Sequence, residues 1–423
     1  MFNVPSTQGA FHPLTKEQLS VLLGGWEGYQ LGTVGRRVHP SDPERAEVWL
    51  ELLPRADRLK VCSGCSQPVD SVHDAQERWV RDLPIMGASV HLLVHRCRLA
   101  CPRCGPKLES LSWLPAYSRV TARLAVEVAR LCRWLPVSHV ASYFALHRHT
   151  VKEIDKEYLT QTLGEPDLRG LDVIALDEFS IHKGHRYATV FVDPRRKRVL
   201  WVCMGRSGGD IRPFFEALGE EGRRALKAVV MDMNGGYERE AREQCPHVEI
   251  VFDLFHIAAN YSRQVVDRVR VDEADRLRKS KEGRQLIKGS RWLLLRNRQN
   301  LAPSQEVRLQ ELLQANRALA IVYILKDDLK QVWRHAVHSE ALSFWKDWHR
   351  RAMQSGIEPL RAFAHHLEGR LDGILSHCRW PFHTSLLEGI NNKIKVIKRM
   401  AYGYRDEAYF FLKIRAAFPG NPP

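Results

Sequence analysis

Leu171-Asp172-Val173-Ile174-Ala175-Leu176-Asp177-Glu178-Phe179 is a short apolar run, β-branched at Val173 and Ile174, that closes on acid. A run of this length and branching reads as a buried strand. An aspartate where such a strand emerges is a carboxylate held by rigid backbone at the rim of a core, able to hold a metal ion. Aspartate also opens turns by bonding its own backbone, so this stretch alone does not separate ligand from turn. The pattern then repeats. Leu226-Lys227-Ala228-Val229-Val230-Met231 is a second apolar run, it closes on Asp232, and Asn234-Gly235-Gly236 breaks the chain straight afterwards. Between the two, Arg186 to Asp193 and Arg198 to Gly205 alternate as strands around Asp193-Pro194, which makes a three-stranded meander, and Ile211 to Gly219 reads as a helix. A strand from Glu249 to Phe252 leads into Asp253-Leu254-Phe255-His256 and a further helix.

A third acid lies near the end. In Ser385 to Arg399, Ile390, Ile394 and Ile397 form one apolar helix face, while Glu388, Asn392, Lys395 and Arg399 fall on the opposite side. By itself this is an amphipathic helix with a solvated charged face. Together, a meander, a helix, a strand closing on Asp232 and a late helix bearing Glu388 match the element order of an RNase H-like fold. Asp177, Asp232 and Glu388 would serve two Mg²⁺ (or Mn²⁺) ions, which take oxygen ligands and, as a pair, stabilise the entering and leaving oxygens of an in-line displacement.

The remaining chain supplies context. Its 423 residues suggest roughly three domains at about 150 residues each. The formal net charge of +15 favours a polyanionic partner, nucleic acid first. With no apolar run of eighteen residues and no signal peptide, the expectation is a soluble cytoplasmic protein, nucleoid-associated and without a membrane partner. Residues 1–60 carry two strand-like runs, Gly28 to Val34 and Glu47 to Leu53, resembling a hairpin. Cys62-x-x-Cys65 and Cys101-x-x-Cys104 each offer two thiolates, enough together for a structural Zn²⁺ site. Buried free cysteines are the alternative, and Cys97 is a spare thiol able to replace one member. Arg78 to Leu83 and Ser89 to Arg96 read as a hairpin between the pairs.

From Ser118 to Leu159 the spacing turns helical, with Leu124, Val128 and Leu131, then Val137, Val140, Ala141 and Phe144, then Val151, Ile154 and Leu159. The last two helices flank Ala145-Leu146-His147 as in a helix-turn-helix, with Ala145 where a glycine is usual. Arg148, His149, Thr150 and Lys152 open the third helix and are the candidate DNA contacts; a plain helical bundle is the alternative. From about Arg263 to Arg379 the chain is basic, helical and free of strand signals, with Leu309 to Trp333 a long Leu-spaced segment. It carries several tryptophans, of which Trp292, between Arg291 and Arg296, is the candidate for stacking on a base.

These residues resemble the bacterial insertion-sequence transposases of the ISL3 family, a DDE group with an RNase H-like catalytic domain. The matching stretches are Leu176-Asp177-Glu178-Phe179-Ser180 with Lys183-Gly184-His185-Arg186-Tyr187, Met231 to Tyr237, Phe252 to His256, Arg291 to Leu295, Glu388 to Lys395, and Gly403-Tyr404-Arg405. Arg78 to Pro84 and the cysteine pairs match the zinc-binding front end. The resemblance implies that Asp177, Asp232 and Glu388 are the DDE triad and that the helical segment before Glu388 is an insertion domain. It also implies metal-dependent cleavage and strand transfer on double-stranded DNA, at the element's terminal inverted repeats and at target DNA, by at least a homodimer. Asp253-x-x-His256 resembles the acid-x-x-His signature of Mutator-like relatives. His256 is then either a phosphate-orienting or metal-binding residue or a satisfied core histidine. A domesticated transposase, or a zinc and helix-turn-helix regulator that binds DNA without cutting it, is the alternative, and it predicts a damaged triad. The expected domains are 1–60, an N-terminal strand and helix segment; 61–117, zinc-binding; 118–165, helix-turn-helix; 166–262, the first part of the catalytic core; 263–380, the helical insertion; and 381–423, the final catalytic helices.

Overall fold

Two sheets organise the chain, one in each of two units, Met1–Gly164 with Met400–Tyr402 and Glu165–Arg399 with Gly403–Pro423. The computed structural model describes residues 15–39, 42–182, 186–277, 279–280, 287, 289–296, 298–382 and 385–421; Lys183, Gly184 and His185 of the motif quoted above lie outside the described residues.

In the first unit α1 (Lys16–Leu22) precedes β1 (Tyr29–His39) and β2 (Asp42–Pro54), which pair antiparallel as expected. β3 (Val72–Ile85) and β4 (Ala88–Cys101) form the hairpin between the cysteine pairs. It turns through Met86 and Gly87, at φ 47° and 79°, the positive values that a tight two-residue hairpin turn requires. β4 also runs parallel to β2, and β5 (Gly105–Leu108) folds back on its end. Side-chain alternation gathers Leu50, Leu52, Val80, Val90, Leu92 and Val94 on one face, under Trp26 and Tyr29.

α2 (Ala122–Cys132), α3 (Val137–Phe144) and α4 (Arg148–Leu163) follow, sharing a core of Leu124, Val128, Val140, Ala141, Phe144 and Val151. α3 ends on Ala145 at φ 49°, ψ 47°, so an alanine occupies the left-handed position that glycine adopts at no steric cost. The turn is clamped from outside. The Arg81 guanidinium of β3 donates to the carbonyl oxygens of Phe144 (2.9 Å) and Ala145 (3.1 Å). Its neighbour Asp82 is buried and accepts from Trp26 Nε1 (3.0 Å), Thr121 Oγ1 (2.6 Å), Arg123 Nε (2.8 Å) and the Leu83 amide (2.8 Å). Burial opposes the Asp82 charge, but the bonds from Arg123 and Thr121 outweigh it and hold the carboxyl below its ordinary range. One carboxylate thus joins the N-terminal segment, β3 and the first helix of the trihelical part.

In the second unit β6 (Val173–His182), β7 (Arg186–Asp193) and β8 (Arg198–Met204) are the expected antiparallel meander. α5 (Gly208–Ala225) crosses to β9 (Ala228–Met231), and α6 (Gly235–Gln244) to β10 (Glu249–Phe252). β9 lies parallel to β6 and β10 parallel to β9, in the order β10-β9-β6-β7-β8, which is the RNase H-like arrangement expected from the element order.

Three local readings need correction. β6 does not end at Asp177: it continues to His182, with Asp177 paired to Val190 of β7, and the strand that stops is its neighbour β9, whose last pairing with β6 is Val230 to Ala175. The helix read from Ile211 to Gly219 begins at Gly208 and resumes beyond Gly219, whose φ of 71° interrupts it. Asn234-Gly235-Gly236 does not break the chain but opens α6, with the Asn234 side chain accepting from the Gly236 amide at 2.9 Å. A Cβ at Gly208 would come within 2.9 Å of the Gly236 carbonyl oxygen, so glycine there allows the two helix starts to pack.

α7 (Leu254–Tyr261) passes through a π-helical turn, Ser262–Val266, into α8 (Asp267–Arg276). α9 (Arg291–Leu295), α10 (Pro303–Ala315), α11 (Arg317–Gln331), α12 (His338–Gln354), α13 (Glu358–Glu368) and α14 (Leu371–Leu375) complete a helical insertion before α15 (Ser385–Met400) and α16 (Glu407–Ala417). The segment read as one span from Leu309 to Trp333 is two helices, parted at Asn316, which caps the Leu319 amide at 2.9 Å. The insertion packs on one sheet face, through Ile174, Leu176, Met231 and Phe252, in one core with Trp345 and Trp348. α15 and α16 cover the other face, where Val173, Ala175, Phe179 and Ile181 meet Leu387, Ile390, Ile394 and Phe410.

Two stability predictions follow from the first unit. Ala145→Gly relieves the left-handed strain and is expected to stabilise it by about 0.5–1 kcal/mol, read as a rise in its thermal midpoint. Asp82→Ala leaves Trp26 Nε1 without its acceptor and Arg123 with only the Leu23 carbonyl, and is expected to cost about 2–3 kcal/mol. Because the folded carboxyl titrates below its unfolded value, that contribution is complete above the ordinary carboxyl range and disappears as pH falls through the folded value. Urea unfolding of wild type and variant across that range measures the difference.

Candidate active site

Strand register builds the site. Continuing the pairings Ala175 to Val230 and Phe252 to Met231 sets Asp177, Asp232 and Asp253 side by side on β6 and just beyond the ends of β9 and β10. By the two-residue alternation all three carry the parity of Val173, Ala175, Val230 and Val251, the face covered by α15. Asp177 and Asp253 are 6% and 3% exposed, so neither is a surface acid.

Asp177 is the most connected. Its Oδ1 accepts from the Glu178 amide (2.8 Å) and lies 3.5 Å from His256 Nε2, and its Oδ2 accepts from Asn391 Nδ2 on α15 (2.6 Å). Asp232 Oδ1 accepts from the Asn234 amide (3.2 Å). Asp253 caps α7, its Oδ1 accepting from the Phe255 amide (2.6 Å) while Oδ2 stands 3.9 Å from His256 Nε2. Burial first, and then neighbouring carboxylates, push Asp232 and Asp253 up to about 6 despite the opposing charge of His256. For His256 burial works against the imidazolium, yet the bond to Asp177 and the charges of Asp177, Asp253 and Asp232 win, pushing it up to about 9. His256 is therefore half-buried among acids rather than packed in an apolar core. Three carboxylates against one imidazolium leave an excess of negative charge at a confined rim, the condition a divalent cation relieves.

Glu388 is not drawn into this row. It lies exposed in the first turn of α15 and, among the described residues, makes no hydrogen bond or ion pair. Asn392, Lys395 and Arg399 are exposed with it, as the helical period predicts, while Ile390 and Ile394 are buried. Lys398 Nζ, donating to the Ser180 and Ile181 carbonyls (2.9 and 3.2 Å), ties the far end of the helix to β6. Two participants stood inside stretches quoted from the sequence, Asp253 ahead of His256 and Asn391 after Glu388, without a role of their own. Asp253 carried a usable signal, a third apolar run closing on aspartate; Asn391 carried none.

In the first unit, one ligand atom from each of Cys62, Cys65, Cys101 and Cys104 lies within 4.8 Å of the others. Among the described residues no other set of three or more cysteine, histidine or acidic side chains is this close, so the carboxylates are spaced more widely. Cys65 Sγ and Cys101 Sγ are 3.6 Å apart, near the roughly 3.8 Å edge of a tetrahedron with Zn–S of about 2.3 Å. A Cβ at Gly64 would come within 3.1 Å of Cys104 Sγ, a tight contact that would push on this thiol. Cys97 stays outside this set, its Sγ accepting from Arg58 at 3.4 Å.

At the start of α4, Arg148 and His149 are exposed and Thr150 is half-buried. Lys152 is engaged by Glu153 at 2.7 Å. Trp292 is 63% exposed, with the Arg291 guanidinium 5.7 Å from its ring centre. No helix is long and apolar enough to cross a membrane among the described residues.

Comparison with known proteins agrees with this layout. Residues 174–414 match a family model described as a transposase, residues 58–104 one described as a zinc-finger of transposase IS204/IS1001/IS1096/IS1165, and residues 109–159 the helix-turn-helix domain of transposase family ISL3. The transposase for insertion sequence element IS1001 of Bordetella parapertussis is 51% identical over 400 residues, covering 94% of this chain and 97% of that protein. The transposase for insertion sequence element IS1557 of Mycobacterium tuberculosis is 25% identical over 403 residues, covering 89% and 90%. A zinc finger, a helix-turn-helix and a DDE domain in that order, with a relative this similar along nearly the whole length, place the chain in the ISL3 family of insertion-sequence transposases.

Proposed function

We propose that this transposase binds the terminal inverted repeats of its own insertion sequence and cuts and joins DNA at a two-metal centre made by Asp177, Asp232 and Glu388. The observation that carries this reading is the row of three aspartates, Asp177 on β6 and Asp232 and Asp253 just beyond β9 and β10, with Asp177 and Asp253 buried and Asp232 and Asp253 holding protons more tightly than a free carboxyl. Their oxygens are the hard donors that Mg²⁺ or Mn²⁺ takes. When bound, such ions lower the pKa of an attacking water or hydroxyl and stabilise charge on the phosphate oxygens.

The chain's own residues do the rest. Asp177 and Asp232 supply ligands from rigid strand positions, and Glu388 supplies the third from the first turn of α15, the helix that already lies on this face of the sheet. His256, charged at neutral pH by its acidic neighbours, orients a phosphate oxygen at the rim. Asp253 holds His256 and caps its helix. Lys395 and Arg399, unpaired among the described residues and on the Glu388 face, bind phosphates along the strand being cut. Arg148, His149, Thr150 and Lys152 meet the repeat DNA from the start of α4, and Trp292 stacks on an unpaired base. The four cysteines hold a structural Zn²⁺ that fixes the end of the β3–β4 hairpin. Both element ends are held together by at least a dimer on DNA. The functional segments run as 1–60, 61–117, 118–165, 166–262, 263–380 and 381–423, the first two sharing one sheet through β2 and β4.

Incubating the purified protein with the DNA that flanks its own gene and Mg²⁺ tests the catalytic reading. Wild type is expected to cleave at the element ends, and Asp232→Ala to lose this by a factor on the order of 10³ or more, the equivalent of several kcal/mol of charge stabilisation. Cleavage unchanged in the variant removes Asp232 from the site; cleavage by neither protein moves the weight to a DNA-binding regulator. Elemental analysis addresses the cysteines separately: wild type is expected to carry one zinc per chain and Cys101→Ser to lose it together with binding to the repeat. Zinc retained at full occupancy in the variant excludes this ligand set.

A further inference from the structure

α15 meets the acid row through one polar side chain, and it is not Glu388. Asn391, one helical turn further on, donates from Nδ2 to Asp177 Oδ2 at 2.6 Å across 214 residues of sequence. Asp177 only accepts when ionised, so the amide must turn its NH₂ toward it and its oxygen the other way. That oxygen, Asn391 Oδ1, is buried and has no hydrogen-bond partner among the described residues. A buried acceptor without a donor costs about 1–3 kcal/mol, so its retention here needs a reason. Asn391 also lines a cavity of about 200 Å³ together with Glu178, Ser180, Lys395 and Lys398 among others, whose wall does not include the acid row itself. An orphaned acceptor and a bonded carboxylate therefore meet at one residue.

We propose that Asn391 is the positioning residue of the carboxylate row: Nδ2 fixes which lone pairs Asp177 turns to the rim, and Oδ1, left without a donor by that bond, would be the acceptor for a water of a bound divalent cation. The inference rests on the metal-binding reading of Asp177 given above. It explains why Asp177 is held from both sides, by the Glu178 amide on one oxygen and by Asn391 on the other. It also gives α15 a second task besides presenting Glu388, since the helix orients a ligand on β6 directly. Groups that orient a metal ligand from behind typically change metal affinity by about 10–100-fold when removed.

The test measures metal binding and needs no catalysis. The full-length protein, free of DNA, is titrated with Mn²⁺, and the free-ion electron paramagnetic resonance signal is followed for wild type, Asp177→Asn, Asn391→Ala and Asn391→Leu. Asn391→Leu keeps the size of the side chain but neither donates nor accepts, which separates hydrogen bonding from packing. Both Asn391 variants are expected to bind Mn²⁺ about 10–100-fold more weakly than wild type, with the thermal midpoint and circular dichroism of the wild type. If both bind as tightly as wild type while Asp177→Asn has lost binding, this inference falls alone. A lowered thermal midpoint with unchanged Mn²⁺ affinity likewise overturns it, by making Asn391 a tie in the fold only. If Asp177→Asn binds like wild type, or wild type takes up no Mn²⁺, the metal reading fails and this inference with it.

Discussion

Strand pairing is the constraint on which the catalytic unit depends. A side chain's face is set by the parity of its position and its neighbours by the register of the backbone bonds, so three strands in fixed register deliver three side chains to one line. β6, β9 and β10 deliver Asp177, Asp232 and Asp253. A slip of one residue would send an acid into the apolar layer under the helical insertion and bring Leu176 or Met231 to the rim. The register is protected by burial on both faces, with Ile174 and Leu176 in one core and Val173 and Ala175 in the other. The acids are thus placed by hydrophobic packing that they do not share in.

Burying acids in this way is unfavourable unless something compensates. Asp177 is compensated by a backbone amide, the Asn391 amide and the nearby imidazolium. Asp232 and Asp253 are compensated less, and their raised proton affinity is the residue of that shortfall. The site stores electrostatic repulsion that a divalent cation would relieve. α15 completes it through two kinds of contact, apolar packing of Leu387, Ile390 and Ile394 on the sheet and polar ties from Asn391 and Lys398 to β6. Its outer face is left with acid and base that have no partner within the described chain, the composition suited to phosphate and metal together.

The first unit solves a different problem with the same economy. Neighbouring residues of β3 act on the helix-turn-helix in two ways: Arg81 holds the turn that lacks a glycine, and Asp82 holds the first helix through Thr121 and Arg123. The four thiols close the other end of the hairpin, where β4 stops at Cys101. Residues at the two ends of one hairpin therefore link the cysteine cluster to the trihelical part.

Much of this was legible in the chain by itself. Apolar runs closing on Asp177 and Asp232 marked the strands because a buried strand must be apolar and a rim acid interrupts it. The cysteine spacing marked its cluster because two ligands three residues apart can reach one ion, and the period of α15 separated Ile390 and Ile394 from Glu388, Lys395 and Arg399. The motifs carried the family. Other features belong to the tertiary structure alone. That β6 runs on past Asp177 depends on its pairing with β7, while the rim is made by β9 stopping. That the Ala145 turn is clamped by Arg81, 64 residues away in sequence, depends on how β3 lies against it. That Asn391 faces Asp177 depends on how α15 lies on the sheet after a long helical insertion. Local sequence determined which face of each element was apolar, since periodicity is a property of the element itself. Which polar groups meet was decided by packing between elements distant in the chain, because a hydrogen bond of 2.6 Å leaves no mark on the sequence around either partner.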